Sequence, residues 1–204
     1  MLSVCALNDM SKQSLMEAVA AEVNACHRCE LWKSRRNPVL GEGNIDAVVM
    51  LVGEAPGYWE DLRGRPFVGA AGKLLDETLS EVGLSRGEVY ITNILKCRPP
   101  ENRDPLAYEI MNCTPFLDQQ IQIIKPRLIV TLGRHSSSYI LSKAGIGVEG
   151  ITQLHGRTFE TRLLGFRVLV IPTYHPAAAL YNVKYRDEIK SDFQLVKLEL
   201  EKRG

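Results

Sequence analysis

The sequence predicts an α/β protein in which helices cover both faces of a central, mainly parallel sheet of four strands, a three-layer α/β/α arrangement. Four apolar runs have the length and composition of buried strands, at residues 47–52, 89–95, 127–132 and 166–171. Segments with apolar residues at helical spacing alternate with these runs. That alternation is typical of a parallel sheet between two helical layers.

The predicted helices lie between and beside these strands. They occupy residues 11–25, 72–82, 114–124, 136–141 and 186–201. Gly83 is a helix-ending glycine, and Thr114 followed by Pro115 is a start signal, because the hydroxyl caps the helix and proline is tolerated in the first turn. We interpret residues 31–44 as a surface connection and residues 145–165 as a loop with one added strand.

The composition is that of an ordinary globular chain: 204 residues, 45% apolar and 24% charged, which favours a single domain over residues 1–204. The net charge of +1 excludes a globally basic coat for nucleic acid. Contact with nucleic acid would therefore depend on local groups of basic residues, each of which alone is more simply explained as a solvated face. These groups are Arg28/Lys33/Arg35/Arg36, Arg63/Arg65 and Lys96/Arg98/Arg103.

No apolar run approaches the ~20 residues of a membrane span, and the N-terminus lacks the basic start and apolar core of a signal peptide. We therefore expect a cytoplasmic protein that does not bind membranes. Its five cysteines are better explained as ligands, nucleophiles or core residues than as a disulfide framework. Cys26 and Cys29 form a C-x2-C pair ahead of the first strand, which resembles half of a metal site.

Residues 53–75 form a long connection between the first strand and the next helix. Loops longer than about 12–15 residues in a compact domain are usually functional, and open α/β sheets bind ligands beyond the carboxyl ends of their strands. This loop brings Glu54 and Phe67 to that edge, and the second and fourth strands bring Asn93 and His175. We expect the four side chains to share one pocket, although each of them alone has a more ordinary explanation.

Three groups of motifs identify a family: GEAPG-x-x-ED with GRPFVG-x-AG, then TN-x-x-KCRPP-x-NR, then YHPAA. They resemble the family 4 uracil-DNA glycosylases, the iron–sulfur members of that superfamily, and the resemblance runs from Cys26 to the C-terminal helix. It implies an enzyme that flips deoxyuridine out of single- or double-stranded DNA and hydrolyses its N-glycosidic bond. The products are free uracil and an abasic site, which starts base excision repair. We expect a monomer, with a sliding clamp as a further candidate partner.

The resemblance also assigns roles to residues of the predicted pocket. Phe67 matches the aromatic on which the flipped uracil stacks, Asn93 the amide that reads its Watson–Crick edge, and His175 the histidine that bonds uracil O2. Bond cleavage leaves negative charge on O2, so a donor aimed there binds the transition state more tightly than the substrate, and neutral His175 can be that donor.

Gly53, Glu54 and Ala55 match the motif that borders the base and the attacking water. The better-known uracil glycosylases read GQDPYH here, with an aspartate for water and a tyrosine that blocks the thymine methyl group. This sequence has Ala55 and Gly57 at those two positions. Glu54 is therefore the first candidate to orient water and stabilise the sugar cation, with Glu60 or Asp61 behind it, and the exclusion of thymine is left open.

Cys26, Cys29, Cys97 and Cys113 match the family's four ligands to a [4Fe-4S] cluster, although thiolate chemistry alone suits zinc or an iron–sulfur cluster about equally. Its role would be structural, because hydrolysis moves no electrons. The cluster would tie the N-terminal segment to residues 96–103 and set the arginines there against phosphates. Cys5 is left over.

Leu180 and Tyr181, beyond His175, are candidates either for a wedge that fills the hole left by the base or for packing of the last helix. Two other functions stay open. One is a non-catalytic nucleic-acid binder on the same scaffold. The other is a glycosylase with broader specificity, for hypoxanthine, xanthine or mismatched thymine.

Overall fold

The computed structural model describes residues 11–147 and 150–203, with the side chain of residue 203 left out. Its helices are α1 Lys12–Asn24, α2 Tyr58–Arg63, α3 Ala70–Glu81, α4 Ala107–Ile124, α5 Arg134–Lys143, α6 Ile151–Leu154 and α7 Val183–Arg203. Its strands are β1 Glu42–Gly43, β2 Val49–Gly53, β3 Tyr90–Asn93, β4 Leu128–Leu132, β5 Phe159–Leu163 and β6 Phe166–Thr173. Short 3-10 turns occupy Glu30–Lys33, Pro100–Asn102 and Pro176–Leu180.

The strands form one sheet in the order β1-β3-β2-β4-β6-β5. The inner four strands are parallel, whereas β1 and β5 pair antiparallel at the two edges. The expected mainly parallel sheet is confirmed, but its strand count of four was wrong, because the sheet has six strands. The added strand expected within residues 145–165 is β5. The other edge strand, β1, is two residues long, too short to leave an alternating pattern in a segment interpreted as a connection.

Helices cover both faces of the sheet, as the three-layer prediction requires. Met50 and Val52 of β2 point to a core that includes residues of α1, α4 and α5. Val49 and Leu51 point to the opposite core, which α3 and α7 complete. Successive residues of a strand face opposite sides, so a strand buried on both faces needs an unbroken apolar run, which β2 has.

The chain path creates a crevice at the carboxyl ends of β2 and β4. From β2 the chain passes to β3 on one side, and it then returns to β4 on the other side of β2. Connections from β2 and β4 therefore leave in opposite directions, and in open α/β sheets ligands bind at such a switch point. No described helix combines the length and the apolar character that a membrane crossing requires.

Helix α4 begins well before the expected start at Thr114. Its first turn is capped by the Glu109 carboxylate, which accepts a hydrogen bond of 2.8 Å from the backbone N–H of Leu106. Pro115 lies inside the helix and removes one helical N–H, which usually costs about 3 kcal/mol or more. Phe116 and Leu117 are buried beside it, and their packing offsets this cost. The long loop also differs from expectation, because it contains the six-residue helix α2.

Candidate active site

A cavity of about 310 Å³ opens beyond the carboxyl ends of β2, β3 and β6. This is near the lower end of the usual range for small-ligand sites, roughly 300–1,000 Å³, and suits a ligand of the size of one base. Its lining residues are Glu54, Ala55, Pro56, Gly57, Glu60, Phe67, Ala71, Asn93, Pro99, Asn102, Arg103, His175 and Ala177. The structure thus brings together the four side chains that the sequence placed at three strand ends.

Phe67 is held in an unusual backbone conformation, with a φ of +50°. Its carbonyl lies so close to Gly72 that a β-carbon there would sit 1.8 Å from the oxygen. Arg86 donates to the same carbonyl at 3.1 Å and to that of Pro66 at 2.7 Å. The left-handed conformation is costly for a bulky residue, so these contacts explain how the ring is kept at the pocket, with its centroid 5.7 Å from that of His175.

Gly53 separates the ring of Phe67 from Asn93. A β-carbon at this glycine would lie 2.4 Å from Asn93 Oδ1 and 2.6 Å from Phe67 Cζ, so no larger residue fits without displacing one of them. Gly53 pairs with Asn93 across β2 and β3, and this register sets the close approach. Gly53 therefore lies between two lining residues of the pocket without lining the cavity itself.

Asn93 is 2% exposed, and its Oδ1 has no hydrogen-bond partner among the described residues. A buried oxygen without a donor costs about 1–3 kcal/mol, and a ligand N–H would remove that cost. The main chain at Asn93 is held by Lys96, whose Nζ donates to its carbonyl at 2.8 Å and to Thr92 and Gln120 at 2.7 Å. Burial lowers the pKa of Lys96 to about 7. No pattern in the sequence indicates that this lysine is buried.

His175 Nδ1 accepts a hydrogen bond of 3.1 Å from the backbone N–H of Ala177. Since an accepting nitrogen carries no proton, the neutral ring is protonated at Nε2. Burial lowers the pKa of His175 to about 4, and the charge of Glu60 opposes this only weakly. The ring is neutral at physiological pH and retains one donor, Nε2–H, for a group in the pocket.

Glu54 has a raised pKa, about 7, caused first by burial and then by the charge of Asp104. Arg134 lowers it and pairs with Asp104. His135 Nε2 lies 3.9 Å from Glu54 Oε2 and 3.7 Å from Asp104 Oδ1. Ligand atoms of these three residues are all within 4.8 Å of one another, and Arg134 offsets part of the acidic charge by pairing with Asp104. Glu54 is thus the pocket carboxylate that titrates near neutrality.

His135 and Asp104 were missed by the sequence argument, which drew on the ends of the first, second and fourth strands only. His135 follows the third strand, β4, by three residues, and the rule applied to the other strands would have found it. Asp104 comes from the connection before α4, for which the sequence offers no comparable rule.

The two other candidate carboxylates, Glu60 and Asp61, accept hydrogen bonds from the backbone and thereby stabilise the loop after β2. Glu60 lines the cavity, but its Oε1 accepts from the backbone N–H of Val68 at 2.8 Å and of Gly69 at 2.9 Å. Asp61 is buried outside the cavity lining and accepts from the backbone N–H of Arg36 at 2.9 Å.

The four cysteines expected as ligands line a second cavity, between α1, the Glu30–Lys33 turn and α4. Cys97 Sγ accepts from Arg35 Nη1 at 3.3 Å, and Cys113 Sγ accepts from the backbone N–H of Lys96 at 3.2 Å. Burial raises the pKa of the thiols of Cys29, Cys97 and Cys113, so thiolates there need the compensation that a cationic group provides. Cys5 lies outside the described residues.

The four thiols form a donor set that suits a metal centre. Thiolates are ligands of zinc and of iron–sulfur clusters alike, and four of them complete the coordination of either. Cys26, Cys29, Cys97 and Cys113 line one cavity and therefore fit such a group as its ligands.

Comparison with known proteins gives the family. The sequence model described as "Uracil DNA glycosylase superfamily" matches residues 40–195. The type-4 uracil-DNA glycosylases of Saccharolobus solfataricus and Sulfurisphaera tokodaii are each 51% identical over 183 residues, 89% of this chain and 85% and 83% of theirs. That of Archaeoglobus fulgidus is 45% identical over 181 residues, 89% of this chain and 91% of its own. The chain belongs to the type-4 uracil-DNA glycosylases.

Membership of the type-4 family confirms the resemblance stated from the motifs. The superfamily match begins at residue 40, so it includes Cys97 and Cys113 but leaves out Cys26 and Cys29. The pocket residues from Gly53 to His175 all lie within the matched part. In this type-4 glycosylase the pocket thus belongs to the region shared across the superfamily, whereas half of the cysteine set precedes it.

Proposed function

We propose that this protein removes uracil from DNA by flipping deoxyuridine into the 310 Å³ pocket and hydrolysing its N-glycosidic bond. The observation that carries the proposal is the convergence of Phe67, Asn93 and His175 on this pocket, in a chain of the type-4 family. A base inside a duplex is out of reach of an enzyme, so it must be extruded into a pocket of this kind. The abasic site that remains starts base excision repair.

Recognition of uracil rests on Phe67 and Asn93. The base stacks on the Phe67 ring, and the Asn93 amide faces its Watson–Crick edge. Uracil presents a donor at N3 and an acceptor at O4, which complement the oxygen and the nitrogen of the amide. Asn93 Oδ1 has no partner among the described residues, so the N3–H of uracil supplies a donor to it.

Catalysis by His175 follows from its protonation state. As the glycosidic bond breaks, negative charge grows on O2 and N1 of uracil. The Nε2–H of neutral His175 donates to O2 and strengthens as that charge develops, as donors of an oxyanion hole do. The bond from Ala177 to Nδ1 holds the ring in the required tautomer.

Glu54 is the proposed catalytic carboxylate, which orients water and stabilises the sugar cation. It lines the pocket, and its raised pKa of about 7 makes it a stronger base than an exposed glutamate. Glu60 is less suited, because one of its oxygens is used by two backbone N–H groups. Gly53 and Ala55 contribute the backbone that borders the base and the water.

Cys26, Cys29, Cys97 and Cys113 would hold a [4Fe-4S] cluster. When bound, it supplies a structural cross-link, and no step of the hydrolysis requires electron transfer. Membership of the type-4 family supports a cluster over zinc. The cross-link would join the segment before residue 40 to the loop after β3, so that residues 1–204 form one domain.

The proposal includes a cytoplasmic, monomeric enzyme, with a sliding clamp as a candidate partner. Tyr181, 91% exposed, and Leu180 are proposed as the wedge that replaces the flipped base, because exposed apolar residues beyond His175 are free to enter DNA.

The test is incubation of the purified protein with an end-labelled oligonucleotide that contains one uracil, followed by alkali, which cuts abasic sites. Matched oligonucleotides with cytosine or thymine in place of uracil are controls, and hypoxanthine, xanthine and a G·T mismatch test the breadth of specificity. We expect cutting at uracil. Binding without cutting would support the non-catalytic binder and refute the proposal.

A further inference from the structure

An exposed group of aromatic rings and arginines lies beside the pocket, and nothing in the proposed excision uses it. Tyr58 and Trp59 of α2 are 43% and 49% exposed. Their ring centroids are 5.2 Å apart, in an edge-to-face arrangement. Large exposed rings on a folded surface mark an interaction site when they occur together rather than singly.

Three arginines surround these rings. The guanidinium carbons of Arg36 and Arg98 lie 5.8 Å and 5.3 Å from the Tyr58 centroid, and that of Arg63 lies 5.6 Å from the Trp59 centroid. One arginine comes from each of the three basic groups that the sequence contains. Each basic group alone was explained as a solvated face. In the fold, however, one arginine of each group lies against a ring of α2.

Among the described residues, no ion pair neutralises the charge of these three guanidinium groups. No carboxylate oxygen in the described part of the chain lies within 4.0 Å of the guanidinium nitrogens of Arg36, Arg63 or Arg98. The Asp61 carboxylate contacts only the backbone N–H of Arg36. By contrast, nearby Arg103 pairs with Glu109 at 2.6 Å. A surface of free cations between exposed rings is complementary to a ligand that is both anionic and flat.

The surface is continuous with the pocket. Gly57, which precedes Tyr58, lines the cavity. Arg98 Nε donates to Asn102 Oδ1 at 2.7 Å, and Asn102 also lines the cavity. A nucleotide in the pocket therefore has its neighbours in the strand within reach of α2 and the loop after β3.

We propose that Tyr58, Trp59, Arg36, Arg63 and Arg98 form a contact surface for the unpaired nucleotides that flank the flipped uridine, with bases stacked on the rings and phosphates on the guanidinium groups. We call these five residues the α2 platform. Grooves for single-stranded nucleic acid combine rings that stack on any base with cations that follow the backbone. The proposal rests on the proposed function for the identity of the ligand, and it adds a preference for unpaired over duplex DNA around the lesion.

The direct test uses DNA without uracil, so that it does not depend on excision. The dissociation constant of a fluorescein-labelled single-stranded thymidine oligonucleotide is measured by fluorescence anisotropy for the wild type, Trp59→Ala and Trp59→Phe. Loss of one stacking ring weakens binding by about tenfold. We expect that loss for Trp59→Ala, with most of the affinity kept by Trp59→Phe, which retains a ring.

The arginines are tested by the salt dependence of the same binding. Each phosphate contact contributes about 0.7 to the slope of log affinity against log salt for a single strand. Arg63→Ala should reduce the magnitude of the slope by that amount. Arg162→Ala is the matched control, because exposed Arg162 faces Arg167 at the start of β6, the end of the sheet away from the pocket. Its slope should equal that of the wild type.

Equal affinities of the wild type and Trp59→Ala, or equal slopes for Arg63→Ala and Arg162→Ala, would overturn the α2 platform and leave these rings to another partner, such as a protein. Failure of the proposed function has a different signature. In that case uracil is not excised, whereas the binding of uracil-free DNA still depends on Trp59 and Arg63.

Discussion

The hydrogen bond from the backbone N–H of Ala177 to His175 Nδ1, 3.1 Å long, fixes which nitrogen of the histidine carries the proton. Because this bond lies within the turn that follows β6, the fold sets the tautomer before any ligand arrives. Together with the pKa of about 4, it makes His175 a neutral donor over the whole range in which DNA repair is assayed. The role proposed for His175 leads to the first prediction.

His175→Ala should lower the single-turnover rate of uracil excision by about two to three orders of magnitude, the usual cost of one donor to a developing anion. Affinity for uracil-containing DNA should fall far less, because the donor acts mainly in the transition state. Rates at saturating enzyme and dissociation constants are measured on one oligonucleotide. Equal losses in rate and affinity would make His175 a uniform binding residue.

The pH dependence of excision should report on Glu54. Its carboxylate is the active form and its pKa is raised to about 7, so the single-turnover rate should rise as pH increases through about 7. His175, with a pKa of about 4, is already neutral there and contributes nothing to this limb. Glu54→Gln should remove the limb and leave a low, pH-independent rate.

Asp104→Asn tests the cause of that shift. Removal of its negative charge lowers the pKa of Glu54, so the acid limb should move to lower pH. Glu77→Gln is the control, a carboxylate paired with Arg186 at 2.7 Å and absent from the pocket lining. A limb that stays in place in Asp104→Asn would show that Glu54 is not the titrating group.

Gly53→Ala should damage the pocket specifically. The new β-carbon would lie under 3 Å from Asn93 Oδ1 and Phe67 Cζ, at 2.4 and 2.6 Å, so one of these groups must move. Misplacement of a binding group by about 1 Å can cost about 100-fold in rate. Gly87→Ala is the matched control, since its β-carbon would meet nothing nearer than 3.9 Å. Excision rates and melting temperatures of both variants are compared, and a Gly53→Ala rate equal to that of Gly87→Ala would refute the tight base site.

The purified protein should be brown and contain iron and acid-labile sulfide with little zinc, if the four cysteines hold the proposed cluster. Cys97→Ala should lose both the colour and the yield of folded protein. The measurement is metal analysis and the visible spectrum of protein expressed with ample iron. Colourless, zinc-loaded and fully active protein would contradict the cluster.

The sequence predicted which residues line the pocket, but it did not predict several of the contacts around them. Glu54, Asn93 and His175 lie at or within two residues of the carboxyl ends of their strands. In a parallel sheet these ends share one edge, so their convergence could be inferred. The conformation of Phe67 depends on its close contact with Gly72, which no local sequence pattern encodes.

Contacts between distant segments explain what the sequence did not predict. The proximity of His135 to Glu54 depends on where β4 lies in the sheet, which chain order alone leaves open. The position of Asp104 depends on the path of the connection before α4. The burial of Lys96 depends on partners from β3 and α4. The predicted start of α4 was wrong because the pair Thr114–Pro115 has the residue types of a helix start. The actual first turn is capped by Glu109, and this cap has a less distinctive sequence pattern.

Asn93 is the centre of the proposed specificity, because its amide must tell uracil from cytosine. Cytosine exchanges the donor and the acceptor of that edge, so a fixed Asn93 would face two mismatched groups, each costing about 1–3 kcal/mol when buried. Asn93→Asp keeps the shape of the side chain and removes the donor. A carboxylate oxygen would then face uracil O4, whereas a protonated Asp could donate to cytosine N3 and accept from N4.

The decisive measurement is single-turnover cleavage of matched uracil and cytosine oligonucleotides by the wild type and Asn93→Asp. We expect the variant to lose uracil excision sharply and to gain slight cytosine excision, stronger at low pH, where the new carboxyl group is protonated. Excision of uracil by Asn93→Asp at nearly the wild-type rate would show that Asn93 does not read the base and that the pocket formed by the three strand ends is not the uracil site.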